Sequence, residues 1–208
     1  MAAFNNSGQI CFAGTRLLVQ RSIHAEFVDR LVEFSKTLRL GDGMNSETQL
    51  GPLISQKQLD RVLHYVEIGT REGATLASGG KRMGGELSNG YFVEPTVFSG
   101  VDNQMTIARE EIFGPVVVVI PFDDADDALR IANETDYGLG SAVWTRDVNT
   151  MLKMTQGIQA GTVWVNCYGA LDPSIGFGCH RMSGYGIKGG PQHVESYMYP
   201  KVVYVKES

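Results

Sequence analysis

The segment Val116–Ile120 reads Val-Val-Val-Val-Ile, five β-branched residues in a row. A strand with one wet face alternates apolar and polar residues. An unbroken β-branched run marks a strand covered on both faces, as in the interior of a parallel sheet. The segments that follow agree. Asp123–Glu134 reads as a helix whose acidic first turn suits the helix dipole. Ser141–Thr145 reads as a strand, Asp147 as the cap of a helix ending near Gly157, and Ala160–Asn166 as another strand. The order β-α-β-α-β over 116–166 predicts an α/β fold: a mostly parallel sheet flanked by helices.

The first half adds a strand at Arg16–Arg21 and a helix capped by Ser22, with Ile23, Phe27, Leu31, Phe34 and Leu38 at helical spacing and Gly41 as its stop. Leu40–Leu53 is a loop. Ser55 opens a second helix, with Gln58 three residues on, the spacing of a capping box. Leu59, Val62, Leu63 and Val66 form its apolar stripe. Ser78–Gly90 is a polar loop, Tyr91–Phe98 an extended stretch broken by Pro95, and Ile107–Gly114 a short acidic segment. Tyr168–Gly190, rich in Gly, Ser and Pro, reads as ordered loop. Val202–Val205 reads as a terminal strand with no partner in its sequence neighbourhood.

Composition narrows the function classes. With 208 residues, 43% hydrophobic and 20% charged, the chain can bury a core without disulfides or metals. A net charge of −5 with no basic face argues against nucleic acid or an anionic membrane as partner. The longest apolar run, Pro115–Phe122, is far too short to span a bilayer. No secretion signal is evident, and an odd count of three cysteines points to free thiols in a reducing, cytoplasmic setting.

Five places are weighed for chemistry. Cys11 lies among the small residues Gly8, Ala13 and Gly14, so a substrate could approach its sulfur; on local sequence alone a buried structural thiol, as most cysteines are, is the commoner reading. Cys167, after a strand, reads as packing. Cys179-His180 has no second pair at ligand spacing, so no metal site is expected. Glu110-Glu111 stand beside Phe113 just before the buried strand, either as a site or as a solvated turn. Gly184-Tyr185-Gly186-Ile187-Lys188-Gly189 matches G-x-G-x-x-G but lacks the strand-to-helix context that would make it a dinucleotide fingerprint.

Taken together the segments resemble the aldehyde dehydrogenase superfamily over essentially the whole chain. Three motifs carry the resemblance: Gly8-Gln9-Ile10-Cys11 with Ala13-Gly14-Thr15-Arg16; Glu110-Glu111-Ile112-Phe113-Gly114-Pro115; and Val163-Trp164-Val165-Asn166 followed by Phe177-Gly178 and Met182-Ser183-Gly184. Two departures stand out. Many relatives read Pro-Phe-Gly-Gly where this chain has Gly176-Phe177-Gly178-Cys179, and many have a glutamate where it has Lys188.

The resemblance implies a catalytic, cysteine-bearing domain at 1–182 and a C-terminal segment with an oligomerisation arm strand at 183–208. It implies that the family's Rossmann domain, general-base glutamate and oxyanion asparagine lie outside these residues. It implies NAD or NADP as cofactor and a small-molecule aldehyde as substrate. Cys11 is then the nucleophile, forming a thiohemiacetal and a thioester, and its backbone N–H is an oxyanion donor. Glu111 matches the residue that binds the nicotinamide ribose and Phe113 the aromatic beside the nicotinamide. Gln58 and Arg61 fall near positions that touch the cofactor's ribose. Tyr168, Leu171 and Phe177 match the substrate tunnel, whose apolar character leans toward hydrophobic or aromatic aldehydes. A homodimer or homotetramer paired through 202–205 is implied. The alternative expectation is that the chain alone is catalytically incompetent and acts only in assembly.

Overall fold

The computed structural model describes residues 2–207. In chain order its elements begin with β1 (Arg16–Gln20), α1 (His24–Thr37), α2 (Gln56–Arg71), β2 (Thr75–Ser78), β3 (Thr96–Ser99), α3 (Thr106–Arg109) and β4 (Val116–Phe122). There follow α4 (Ala125–Asn133), β5 (Tyr137–Gly138), β6 (Gly140–Val143), α5 (Val148–Gly157), β7 (Thr162–Val165), β8 (Phe177–Gly178), β9 (His180–Arg181), β10 (Ile187–Lys188) and α6 (Gly190–Glu195).

The central sheet has the order β1-β4-β3-β2. β4 runs parallel to both β1 and β3, and β2 closes the far edge antiparallel. The valine run explains the two layers around it. Side chains alternate across a strand, so Val117 and Val119 enter one core with Phe4, Val19 and Val28, where α1 packs. Val116, Val118 and Ile120 enter the other with Leu59, Val62 and Val66 of α2 and with Phe98 and Ile107. Each of these five residues is at most 3% exposed. At about 1.5 to 3 kcal/mol per fully buried aliphatic side chain, this strand alone is a large share of the driving force.

The expectation of one β-α-β-α-β sheet through 116–166 needs correcting. β6 and β7 do pair in parallel, but as a separate two-stranded sheet. The reason is occupancy: β4 is flanked by β1 and β3 and has no edge left for β6. A small third core of Ala128, Val143 and Met154 joins α4 and α5 to the β6–β7 pair. Asp124 and Asp147 cap these helices by accepting from the backbone N–H of Asp127 (2.9 Å) and Thr150 (2.6 Å).

Other corrections are local. Ser22 caps nothing: it sits within a 3-10 turn at Arg21–Ile23, and α1 begins without a side-chain cap. The 168–190 loop contains two short antiparallel pairs, β8 with β10 and β5 with β9. Residues 202–205 form no strand. Among the described residues none pairs with them in a sheet, and Val202, Val203, Tyr204 and Val205 stand exposed. Among the described residues, no helix is long and apolar enough to cross a membrane, and no group of three or more His, Cys, Asp or Glu is arranged to hold a metal ion.

Candidate active site

Cys11 lies on an exposed turn just before β1. Ala13 N–H closes that turn onto the Ile10 carbonyl at 2.9 Å. Among the described residues, neither the Cys11 sulfur nor its backbone N–H has a hydrogen-bond partner. The turn is held from three sides. Ser7 Oγ donates to the Gly51 carbonyl at 2.7 Å, and Gln9 Oε1 accepts from Ile54 N–H at 3.0 Å. Gly8, at φ +71°, lies so close to the Gly114 carbonyl that a Cβ there would overlap it. That approach sets the cysteine loop against the loop that carries Glu110–Gly114, so two sequence motifs a hundred residues apart meet at a pair of glycines.

An aromatic cluster supports the other side. The Phe12 ring meets Trp164 and Phe177, each at 5.8 Å between centroids. Trp164 packs on Tyr168 at 4.9 Å, and Tyr168 lies nearly parallel to Trp144 at 6.4 Å. The Tyr168 hydroxyl donates to the Phe12 carbonyl at 2.5 Å, and Trp164 Nε1 donates to the Ala170 carbonyl at 2.8 Å. Burial pushes the Tyr168 phenol up to about 12, so it remains a donor. Of the three residues expected along a substrate path, Tyr168 and Phe177 both touch Phe12, the residue after the nucleophile candidate, while Leu171 is 56% exposed.

The second face is built by α2. Ser55 accepts from Gln58 N–H at 3.2 Å, half of the expected capping box. The reciprocal half is missing because the Gln58 side chain turns outward, donating to the carbonyls of Ile112 (3.0 Å) and Phe113 (2.8 Å). Arg61 donates to the Glu111 carbonyl at 2.5 Å. Both residues thus grip the backbone of the Glu110–Phe113 loop. Phe113 takes φ +59°, which a bulky residue rarely adopts without such restraint. Glu111 is exposed, and its carboxylate accepts no hydrogen bond among the described residues.

Several participants escaped sequence reasoning: Phe12, Trp144, Trp164 and Tyr65, whose hydroxyl donates to Glu110 Oε2 at 2.6 Å. Tyr65 had a signal, since it follows Gln58 by seven residues and Arg61 by four and so shares their helix face. An open hollow of about 490 Å³ lies elsewhere, between Arg109, Glu134, Asp136 and Arg181. Arg181 is already committed there to the carbonyls of Asn133 (2.6 Å) and Thr135 (2.5 Å).

Comparison with known proteins decides the family. The family model described as "Aldehyde dehydrogenase family" matches residues 1–203. The chain belongs to the aldehyde dehydrogenase family. It is 45% identical over 205 residues to a probable aldehyde dehydrogenase of Mycobacterium tuberculosis, covering 98% of this chain and 40% of that protein. It is 43% identical to a betaine aldehyde dehydrogenase of Brucella anthropi, covering 98% of this chain and 42% of that one. Among solved structures, the NAD+ complex of an aldehyde dehydrogenase from Bacillus cereus superposes with TM-score 0.94 at 43% identity, covering 100% of this chain and 42% of its own. The Mycobacterium tuberculosis enzyme complexed with NAD+ superposes with TM-score 0.90 at 45% identity, covering 94% and 40%. This aldehyde dehydrogenase chain therefore spans about two fifths of the length of the relatives it matches. Its α/β fold, a mixed sheet with flanking helices, agrees with theirs.

Proposed function

We propose that this chain supplies the nucleophile and one wall of the cofactor site to an enzyme that oxidises an aldehyde to a carboxylic acid with NAD+ or NADP+. The observation that carries the reading is the exposed Cys11 turn, rigidly seated on both sides, with an unpartnered sulfur and an unpartnered N–H at one residue.

The Cys11 thiolate adds to the aldehyde carbon, forming a C–S bond and moving the carbonyl π electrons onto oxygen. The resulting thiohemiacetal oxyanion is one bond from a carbon held beside the Cys11 N–H, the free donor that stabilises it. A nicotinamide cofactor bound beside Glu111 and Phe113 would supply the hydride acceptor; loss of hydride from this carbon lets the oxygen regain its double bond, as a thioester. Water then adds to the thioester, the C–S bond breaks, and Cys11 is released with the carboxylic acid.

The residues of the second face fit a nicotinamide nucleotide. Glu111 is an exposed carboxylate that accepts no hydrogen bond among the described residues, on a loop whose backbone is fixed by Gln58 and Arg61. A vicinal diol such as a ribose offers the two donors such a carboxylate takes. Phe113, on the same loop, offers an apolar surface beside it. Gln58 and Arg61 act by shaping this loop. Phe177, which packs on Phe12, and the exposed Leu171 are proposed to border the approach to Cys11 with apolar surface, which favours hydrophobic or aromatic aldehydes. The exposed run 202–205 is proposed to find its missing strand partner on a second copy, giving a dimer or tetramer. A cytoplasmic setting is proposed with three free thiols as its support.

The test is Cys11→Ala in the protein that carries this chain, assayed by NADH or NADPH formation from an aldehyde such as phenylacetaldehyde. Turnover is expected to vanish with cofactor affinity kept. Retained turnover overturns the reading.

A further inference from the structure

Glu110 and Glu111 are adjacent, chemically alike and both exposed, yet their carboxylates are engaged differently. Glu110 is engaged: its Oε2 accepts from the Tyr65 hydroxyl at 2.6 Å. That hydroxyl also accepts from the Arg61 guanidinium at 3.1 Å, and the guanidinium carbon lies 4.9 Å from the centre of the Tyr65 ring. Among the described residues the Glu111 carboxylate accepts no hydrogen bond, while its backbone carbonyl accepts from the same Arg61.

The base of this arrangement is rigid. The Tyr65 ring is 5% exposed and packs in the core with Leu59, Val62 and Ile107. Burial raises the phenol above its ordinary range, so the hydroxyl stays protonated and donates. Gln58, Arg61 and Tyr65 share one face of α2 and tie four consecutive loop residues, 110 to 113, by side chain or backbone. Those ties hold Phe113 in its left-handed conformation and Ile112 in the core. Tyr65 anchors the end of the loop where the two carboxylates diverge.

We propose that Tyr65 and Glu110 are positioning residues for the cofactor-binding carboxylate: their hydrogen bond turns Glu110 away from the ribose site and fixes the loop so that Glu111 alone is presented there. This rests on the reading that Glu111 receives the ribose diol. Two carboxylates facing one diol would repel each other and compete for its donors. Committing Glu110 to a buried phenol removes the competitor and stiffens the backbone in one step.

The experiment compares Tyr65→Phe, Glu110→Ala and Glu111→Gln in the protein that carries this chain. Tyr65→Phe keeps the buried ring, so the fold is retained. It is expected to raise KM for the nicotinamide cofactor about three- to tenfold, the scale of one ordinary net hydrogen bond, with kcat within about twofold. It is also expected to speed amide hydrogen exchange at residues 110–114 while leaving the rate of Cys11 alkylation unchanged. Glu110→Ala, which also removes the competing carboxylate, is expected to speed the same exchange but to raise the cofactor KM less than Tyr65→Phe. If Glu111→Gln raises the cofactor KM and Tyr65→Phe does not, the positioning role is wrong and the cofactor reading stands. If Glu111→Gln leaves the cofactor KM unchanged, the cofactor reading itself fails, and the proposal with it.

Discussion

The Tyr168 hydroxyl donates to the carbonyl of Phe12 at 2.5 Å, joining the segment after the last long strand to the peptide that follows Cys11. The bond spans 156 positions of sequence and lies within an aromatic stack that includes Trp164 and Trp144. It fixes the carbonyl end of the cysteine turn, while the Gly8–Gly114 approach fixes its start.

Tyr168→Phe removes only the donor. The Phe12 carbonyl then loses its partner, at a cost of about 1 to 2 kcal/mol in unfolding free energy. Because the ring stack remains, the global fold is expected to persist while kcat/KM for the aldehyde falls about tenfold, the effect of a loosened nucleophile turn. Urea unfolding and steady-state kinetics on the same sample check both.

The same phenol gives a pH signature. Its folded-state value of about 12 lies above the ordinary 10.0, because burial disfavours the phenolate. The stability it contributes is therefore complete below pH 10 and lost as pH rises toward 12, a difference of about 2 to 3 kcal/mol at most. Tyr168→Phe is expected to flatten the loss of stability in that window relative to the unaltered chain. Melting temperatures measured from pH 9 to pH 12 compare the two.

Gly8→Ala is expected to be more damaging than its size suggests. Its φ of +71° disfavours any side chain, and the added methyl overlaps the Gly114 carbonyl. A loss of about 2 kcal/mol or more is expected, with a lower urea midpoint. Gly43→Ala, where nothing lies within 4 Å and no positive φ is required, is the control and should be nearly neutral.

Gln58→Ala strips two carbonyls, of Ile112 and Phe113, of one shared donor. A rise in cofactor KM is expected together with a stability loss of about 1 to 3 kcal/mol. Gln58→Glu, which cannot donate in its ionised form, should be at least as harmful. Titration calorimetry with NAD+ and thermal melts measure the two effects.

Much of this architecture was legible before any coordinates. The valine run announced a doubly buried strand, and the Ser55 and Asp147 caps sat where their side chains indeed receive backbone N–H groups. The sheet order was not legible, because β4 pairs with β1 across a hundred residues and local periodicity holds no information about edges. That is why β6 was expected beside β4. The terminal run 202–205 has strand composition but no edge to pair with, and composition alone forms no ladder. At the site, Cys11, Glu111 and Phe113 stood out through their motifs. The supports were less legible: Tyr65 shares a helix face with Gln58 and Arg61, but its hydroxyl's partner lies 45 positions away.

The central claim is that Cys11 bonds covalently to the substrate carbon. The most direct measurement mixes the protein that carries this chain with an aldehyde and NAD+, quenches in acid within one turnover, and maps adducts by peptide mass spectrometry. The account predicts an acyl group on the peptide containing Cys11, with Cys167 and Cys179 unmodified. Turnover accompanied by an acyl group on another residue, or by none at all, contradicts it.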